Sequence, residues 1–371
     1  MHIAMLIDPE RLLAEYPMLN RLCIGMIDQG VRVTRIIPDD PMPPAVLAGE
    51  QRIALAPRFE VPMPVAPWLR RHRASRITVA MERQPPDLIY AIGDQATRLA
   101  MDLGHNLERP VVLDVWSSRV ASRIPRGKSA RPLAACVAAT EPLLNLAAQR
   151  FDEHHVHLVP MGIPMSSTSG PGAQLPNAGV SCPGMTPIAV MGTAHNDIPA
   201  YRAMLGAVRR LLDEYPDIHL FLELRGPRAH GIWQIVQQLD LLSHVSTLPD
   251  AQLYRALLTQ TAVLLMPDPA GEVRTLMLEA MWQGVPIVTR EDPYLDMLQE
   301  DVSALLCQAG DIEQWTRQIK RLLSDHELRT RLTSTARAMV SQNNRTTDQV
   351  VTLIECLELA AHGGVHQFPG T

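Results

Sequence analysis

Lysine is nearly absent from this chain: Lys128 and Lys320 are the only two among 371 residues. A phosphate held here must therefore rely on arginine, backbone N–H groups or a helix end. The P-loop pattern, which needs a lysine behind its glycines, is missing. Cysteine is scarce too. Cys23, Cys136, Cys182, Cys307 and Cys356 are odd in number, far apart and never in a CxxC pair. That argues against a disulfide scaffold or a structural zinc site and predicts a reducing cytosol. The opening MHIAMLIDPERLL has no basic start, no long apolar run and no small-residue cleavage site, so no signal peptide is expected. The longest stretch without Asp, Glu, Lys or Arg, His154 to Asn196, carries six prolines and six glycines, which argues against a membrane helix. A formal net charge of −5 lacks the basic footprint of a nucleic-acid binder.

What is present is an ordinary globular composition, 46% hydrophobic and 20% charged, long enough for two domains. The segment SSTSGPGAQLPNAGVSCPGMTP, Ser166 to Pro187, is too rich in Gly, Pro and Ser for regular structure and marks the boundary. The expected division is a first domain over 1–165, a linker over 166–186, a second domain over 187–340, and a C-terminal helix and tail over 341–371 that pack back on the first domain. In each half, short apolar runs alternate with helix-period segments, the pattern of parallel sheets wrapped by helices. Strands are expected at His2–Asp8, Val31–Ile37, Asp87–Ile92, Val111–Trp116, Leu133–Ala139, a short one at His155–Val159, Ile188–Met191, Ile218–Leu224, Val245–Leu248, Ala262–Met266 and Val285–Thr289. Helices are expected near Pro17–Gln29, Trp68–Arg83, Glu141–Arg150, Tyr201–Tyr215, Gly231–Leu241, Ala251–Gln260 and Thr275–Gln283, with a mainly helical stretch to about Ala361.

The run PDPAGEVRTLMLEAMWQGVPIVTREDPYLDML, Pro267 to Leu298, resembles the signature segment of glycosyltransferase family 4, whose members are retaining, nucleotide-sugar-dependent enzymes of the GT-B fold. The segment from Ala304, and upstream DLIYAIGD, AACVAATEPL and VPMGIP, also fall where that family has characteristic motifs. The resemblance implies an α/β fold of two Rossmann-like, doubly wound domains facing across a cleft. It implies transfer of a sugar from a UDP- or GDP-type donor to a glycan or lipid-linked acceptor, with no cofactor and no metal. The donor side would comprise Gly192, Thr193, Gly271, Thr275, Leu278, Glu279 and Thr289. Glu279 matches the family's ribose-binding carboxylate, and a carboxylate can accept from both ribose hydroxyls; otherwise LMLEAM is simply an amphipathic helix with one charge. The loop from Gly271 to Thr275 would present the helix N-terminus to the diphosphate. The acceptor side would include Gly93, Asp94 and Trp116, the last either stacking on a sugar or filling the core.

The pattern also departs from the family. Eight residues before Glu279 stands Gly271 and not a glutamate; Glu272 is displaced by one and is the candidate to meet the sugar. The family's Arg and Lys after the first strand of the second domain are missing from Met191 to Asp197. Arg225, after a strand, or Arg274, at the helix start, would have to stabilise the leaving group. These gaps keep open a second reading, a catalytically inactive relative that binds a nucleotide sugar or a partner in a glycan assembly complex. Through Met185 the chain has 19 basic and 17 acidic residues, and the remainder 15 and 22. The basic first half suits either a peripheral contact on the inner face of the membrane or a plain solvated surface. The expected location is cytoplasmic.

Overall fold

A computed structural model describes residues 1–39, 56–63, 67–165, 184–193, 197–224, 229–248 and 251–363. The chain forms two compact units. One comprises Met1–Gly162 with the chain from Thr346, and the other Ile163–Arg345.

The first unit holds a seven-stranded sheet in the order β3-β2-β1-β4-β5-β6-β7. Its strands are β1 (His2–Ile7), β2 (Arg32–Pro38), β3 (Arg58–Val61), β4 (Leu88–Ile92), β5 (Val111–Val115), β6 (Leu133–Ala138) and β7 (Val156–Leu158). Every pairing is parallel. A parallel sheet covered by helices on both faces needs strands that are apolar throughout, and all six residues of β1, HIAMLI, are buried. The helices are α1 (Pro9–Asp28), α2 (Pro67–Met81), α3 (Asp94–Leu107), α4 (Ser118–Ser122), α5 (Glu141–Ala148) and, from the C-terminal segment, Thr346–His362. That last helix packs on α1 and on β4, β5 and β6.

The second unit repeats the plan with six parallel strands, ordered β10-β9-β8-β11-β12-β13. They are β8 (Thr186–Val190), β9 (Ile218–Leu222), β10 (Val245–Thr247), β11 (Val263–Met266), β12 (Ile287–Arg290) and β13 (Leu305–Cys307). Its helices are α6 (Ile198–Leu211), α7 (Ala229–Gln238), α8 (Ala251–Leu258), α9 (Thr275–Gln283), α10 (Ile312–Ser324) and α11 (His326–Asn343); the C-terminal Thr346–His362 is α12. Val190, Leu205, Val208, Leu220, Leu265 and Trp315 belong to one continuous core.

Three differences from the expected elements have physical causes. Helix α1 starts at Pro9 and not near Pro17, because Asp8 accepts from the Arg11 N–H as N-cap and Pro9 suits the first turn. Pro17 is inside the helix, where its missing N–H and its ring disturb the preceding turn, and Glu15 is non-helical at φ −128° and ψ 17°. Strand β12 begins two residues late. Gly284 closes α9 in the left-handed region at φ 79°, and the Val285 N–H is drawn back to the Ala280 carbonyl. Strands β3 and β13 are additional, each at a sheet edge and three or four residues long, too short for a periodicity signal. Among the described residues, no helix is long and apolar enough to cross a membrane.

Candidate functional site

In each sheet the strand order reverses once, between β1 and β4 and between β8 and β11. An open parallel sheet leaves its binding crevice at the carboxyl ends of the strands beside such a switch.

In the second unit, Gly192 follows β8. A Cβ there would lie 1.9 Å from the Glu223 carbonyl oxygen, so no larger residue fits. Glu223, just after β9, accepts the Gly192 N–H at 3.2 Å. Arg274 donates to the Gly192 carbonyl at 2.9 Å and to Glu223 Oε1 at 3.0 Å. The turn is thus clamped on both sides by a buried ion pair, each side chain no more than 3% exposed. Arg274, expected to reach a diphosphate, turns inward to Glu223 and Gly192 instead. Thr193 is buried next to this turn. Arg225 lies outside the described residues.

The loop before α9 carries two consecutive residues in the left-handed region, Ala270 at φ 53° and Gly271 at φ 62°. For alanine this costs about 1–2 kcal/mol, and the neighbours hold it: the Gly271 N–H donates to Asp292 Oδ2 at 2.6 Å and the Glu272 N–H to the Pro269 carbonyl at 2.9 Å. Glu272 itself is buried. Arg274 is the N-cap of α9 and makes no side-chain cap bond.

Thr275 and Glu279 stand four apart on α9 and so share a face. Arg255, from α8, bridges them: it donates to Thr275 Oγ1 at 2.7 Å and lies 2.8 Å from Glu279 Oε2. Glu279 is buried but for 7% of its surface. Leu278 and Thr289, also expected at the donor, serve the core. Leu278 is fully buried, and the Thr289 hydroxyl donates to the Met266 and Arg290 carbonyls. At the end of β12, Arg290 donates to Asp197 Oδ2 at 2.9 Å and Asp268 Oδ1 at 2.8 Å.

This edge is acidic. Asp197, Glu223, Asp268, Glu272, Glu279 and Asp292 face three guanidinium groups, Arg255, Arg274 and Arg290. The buried Tyr201 phenol reports it: burial first, then the Glu223 and Asp268 carboxylates, push it well above its ordinary value, with Arg274 opposing. Among the described residues, no group of three or more His, Cys, Asp or Glu is arranged to hold a metal ion.

In the first unit, Asp8 joins two elements. It accepts the Arg11 N–H at 2.8 Å and the Gln95 N–H at 3.1 Å. Burial raises its carboxyl to about 7 against these hydrogen bonds. Gly93, at φ 113°, passes so close that a Cβ would meet this carboxylate. Asp94 forms ion pairs with Arg119, at 3.1 Å, and Arg123. Trp116 is only 4% exposed, and the Arg11 guanidinium covers its ring 4.3 Å from the centroid. It fills the core and presents no face to a sugar.

Glu223, Arg255, Asp268, Arg290 and Asp292 were not foreseen. Glu223, Asp268, Arg290 and Asp292 had a signal, since each stands at or just past the carboxyl end of a strand in a doubly wound sheet. Arg255 had none, because only the folded chain brings it to α9.

Residues 187–325 match the family described as glycosyl transferases group 1. The lipopolysaccharide core biosynthesis glycosyltransferase LpsE of Rhizobium meliloti (strain 1021) is 22% identical over 241 residues, 61% of this chain and 69% of that protein. Among solved structures, HepE of Anabaena in complex with UDP and glucose superposes with a TM-score of 0.75 at 14% identity, covering 96% of this chain and 99% of that one. Sucrose-phosphate synthase of Thermosynechococcus elongatus gives 0.71 at 14% identity over 98% and 100%. Residues 187–325 are therefore a glycosyl transferases group 1 domain, in a chain that has the GT-B glycosyltransferase fold.

Proposed function

We propose that the protein transfers a sugar from a nucleoside-diphosphate sugar to a glycan or lipid-linked acceptor, with retention at the anomeric carbon. The observation that carries this is the α9 assembly: Glu279 oriented by Arg255, one helical turn behind Thr275 and a strained glycine loop, at the carboxyl edge of a parallel sheet. In this reading Glu279 accepts from the ribose hydroxyls, the N-terminus of α9 meets the diphosphate, and Glu272 meets the sugar. Arg225 supplies leaving-group charge, because Arg274 is engaged in holding the Gly192 turn. The HepE complexes with UDP and with UDP-glucose support a uridine donor, and the LpsE likeness supports a glycan acceptor. A peripheral place on the inner face of a membrane, where a lipid-linked acceptor lies, is carried by the stretch from Met1 to Met185, with its 19 basic and 17 acidic residues, and not by the whole first unit, whose C-terminal segment adds Asp348, Glu355 and Glu358.

A thermal-shift screen of UDP, GDP and their sugars tests the donor. A nucleotide at 100 times its dissociation constant stabilises the native state by about 2.7 kcal/mol. No shift with any member of the panel would overturn the reading. The acidic edge favours one competitor, a relative that binds nucleotide sugar without transferring it. Six carboxyl groups repel a diphosphate, and the described arginines there are all paired with them. Purified protein that shifts with UDP-sugar but releases no UDP, with or without acceptor glycan, would select that competitor.

A further inference from the structure

On the first unit, α2, α3 and the turn before β6 line an open pocket of about 890 Å³ whose wall includes Arg70, Arg71, Arg98, Met101, Asp102 and Lys128. Its volume falls within the range of about 300–1,000 Å³ usual for small-ligand sites. The carboxylate Asp102 is taken up by Arg70 in an ion pair. Arg71, Arg98 and Lys128 are exposed, and among the described residues no ion pair holds them. Some surface cations are matched, as Arg58 by Glu60 and Lys320 by Glu214, and others such as Arg76 and Arg331 have no ion pair among the described residues; what sets Arg71, Arg98 and Lys128 apart is that they line one concave pocket. A concave wall of one sign, backed by buried Met101, focuses its field and concentrates counter-ions. In a chain with a net charge of −5, three exposed cations on the wall of one pocket make a local site of the opposite sign.

The pocket is separate from the acceptor-side residues. Helix α3 starts at Asp94, which Arg119 and Arg123 already neutralise. Asp102 lies eight residues along that helix, about 12 Å at 1.5 Å per residue.

We propose that this pocket binds a phosphate-dense head group through Arg71, Arg98 and Lys128, at a site distinct from that of the sugar donor. Two guanidinium forks and one ammonium suit several clustered phosphate oxygens: arginine binds them bidentately and lysine as a point charge. The same chemistry is offered by a free phosphorylated sugar and by an anionic lipid, so the test carries both sources.

Full-length protein is titrated with inorganic tripolyphosphate, with sulfate at equal ionic strength as control, and separately sedimented with vesicles containing cardiolipin, whose head group carries two phosphates, against phosphatidylcholine ones. The triple variant R71A/R98A/K128A is compared after confirming an unchanged melting temperature. Tripolyphosphate binding weakened at least tenfold in the triple variant, and not displaced from the wild type by excess UDP, supports the site with a soluble ligand. Vesicle binding lost in the triple variant, without tripolyphosphate binding, supports it with a lipid source. Affinity equal in wild type and triple variant, or no binding of either probe by the wild type, overturns it.

Discussion

Single side chains hold the shape of the site before any ligand enters it. Gly192 is the strictest case. In Gly192→Ala the new methyl would meet a backbone carbonyl at 1.9 Å, and backbone cannot rotate away. A loss of about 1–3 kcal/mol, seen as a lower urea midpoint, is expected, with nucleotide binding reduced. Arg274→Ala leaves Glu223 buried without its partner, which costs about 3–5 kcal/mol. The double variant with Glu223→Ala should lose less than the sum of the two single changes. Asp8 gives a pH signature. Its carboxyl titrates at about 7 in the folded protein, against 3.8 as the ordinary value. On unfolding it would ionise at the lower pH, so its burial removes stability as pH rises from about 4 to about 7. Asp8→Asn removes the titrating group and keeps the cap on the Arg11 N–H, but its NH2 would face the Gln95 N–H, so it should lower stability at both pH values while flattening the difference between pH 4 and pH 8, measured by urea titration at each. At this scale Glu279 and the Gly271 loop were legible, because their spacing travels with a contiguous segment. Arg255 was not: it is one of the chain's many arginines, on a separate helix on the far side of β11 in sequence, and only packing of α8 against α9 brings it to Glu279.

At the scale of elements, legibility followed the strength of local signals. Helix α9 is bounded as expected, from Thr275 to Gln283, by a glycine loop before it and a glycine stop after it. Helix α1 was cut short because Pro17 reads as a start signal, while the true start rests on Asp8 and Pro9. The same capping physics is testable at α10, where Asp311 accepts the Gln314 N–H at 2.9 Å. Asp311→Ala should lower stability by about 0.5–2 kcal/mol, read from thermal unfolding, and leave nucleotide affinity unchanged, since α10 begins after the edge strand β13 and away from α9. A larger loss, or a change in binding, would mean that α10 helps to shape the site.

At the scale of the molecule, the doubly wound plan was readable because each unit buries its parallel strands on both faces, leaving uninterrupted apolar runs such as HIAMLI. Function was readable mainly in the second unit, where the family match also lies. The first unit carries its chemistry in contacts between distant residues, such as Arg11 over Trp116, which no local motif encodes. The central claim is that a nucleoside diphosphate binds the second unit with its ribose on Glu279. The most direct test is calorimetric titration of UDP and GDP into the full-length wild type and Glu279→Ala, with folding of the variant confirmed by its melting curve. The account predicts that one nucleotide binds the wild type and that the variant binds it about 10- to 150-fold more weakly, the worth of a charged hydrogen bond. Equal affinity in the two proteins, or no binding of either nucleotide to the wild type, would contradict it.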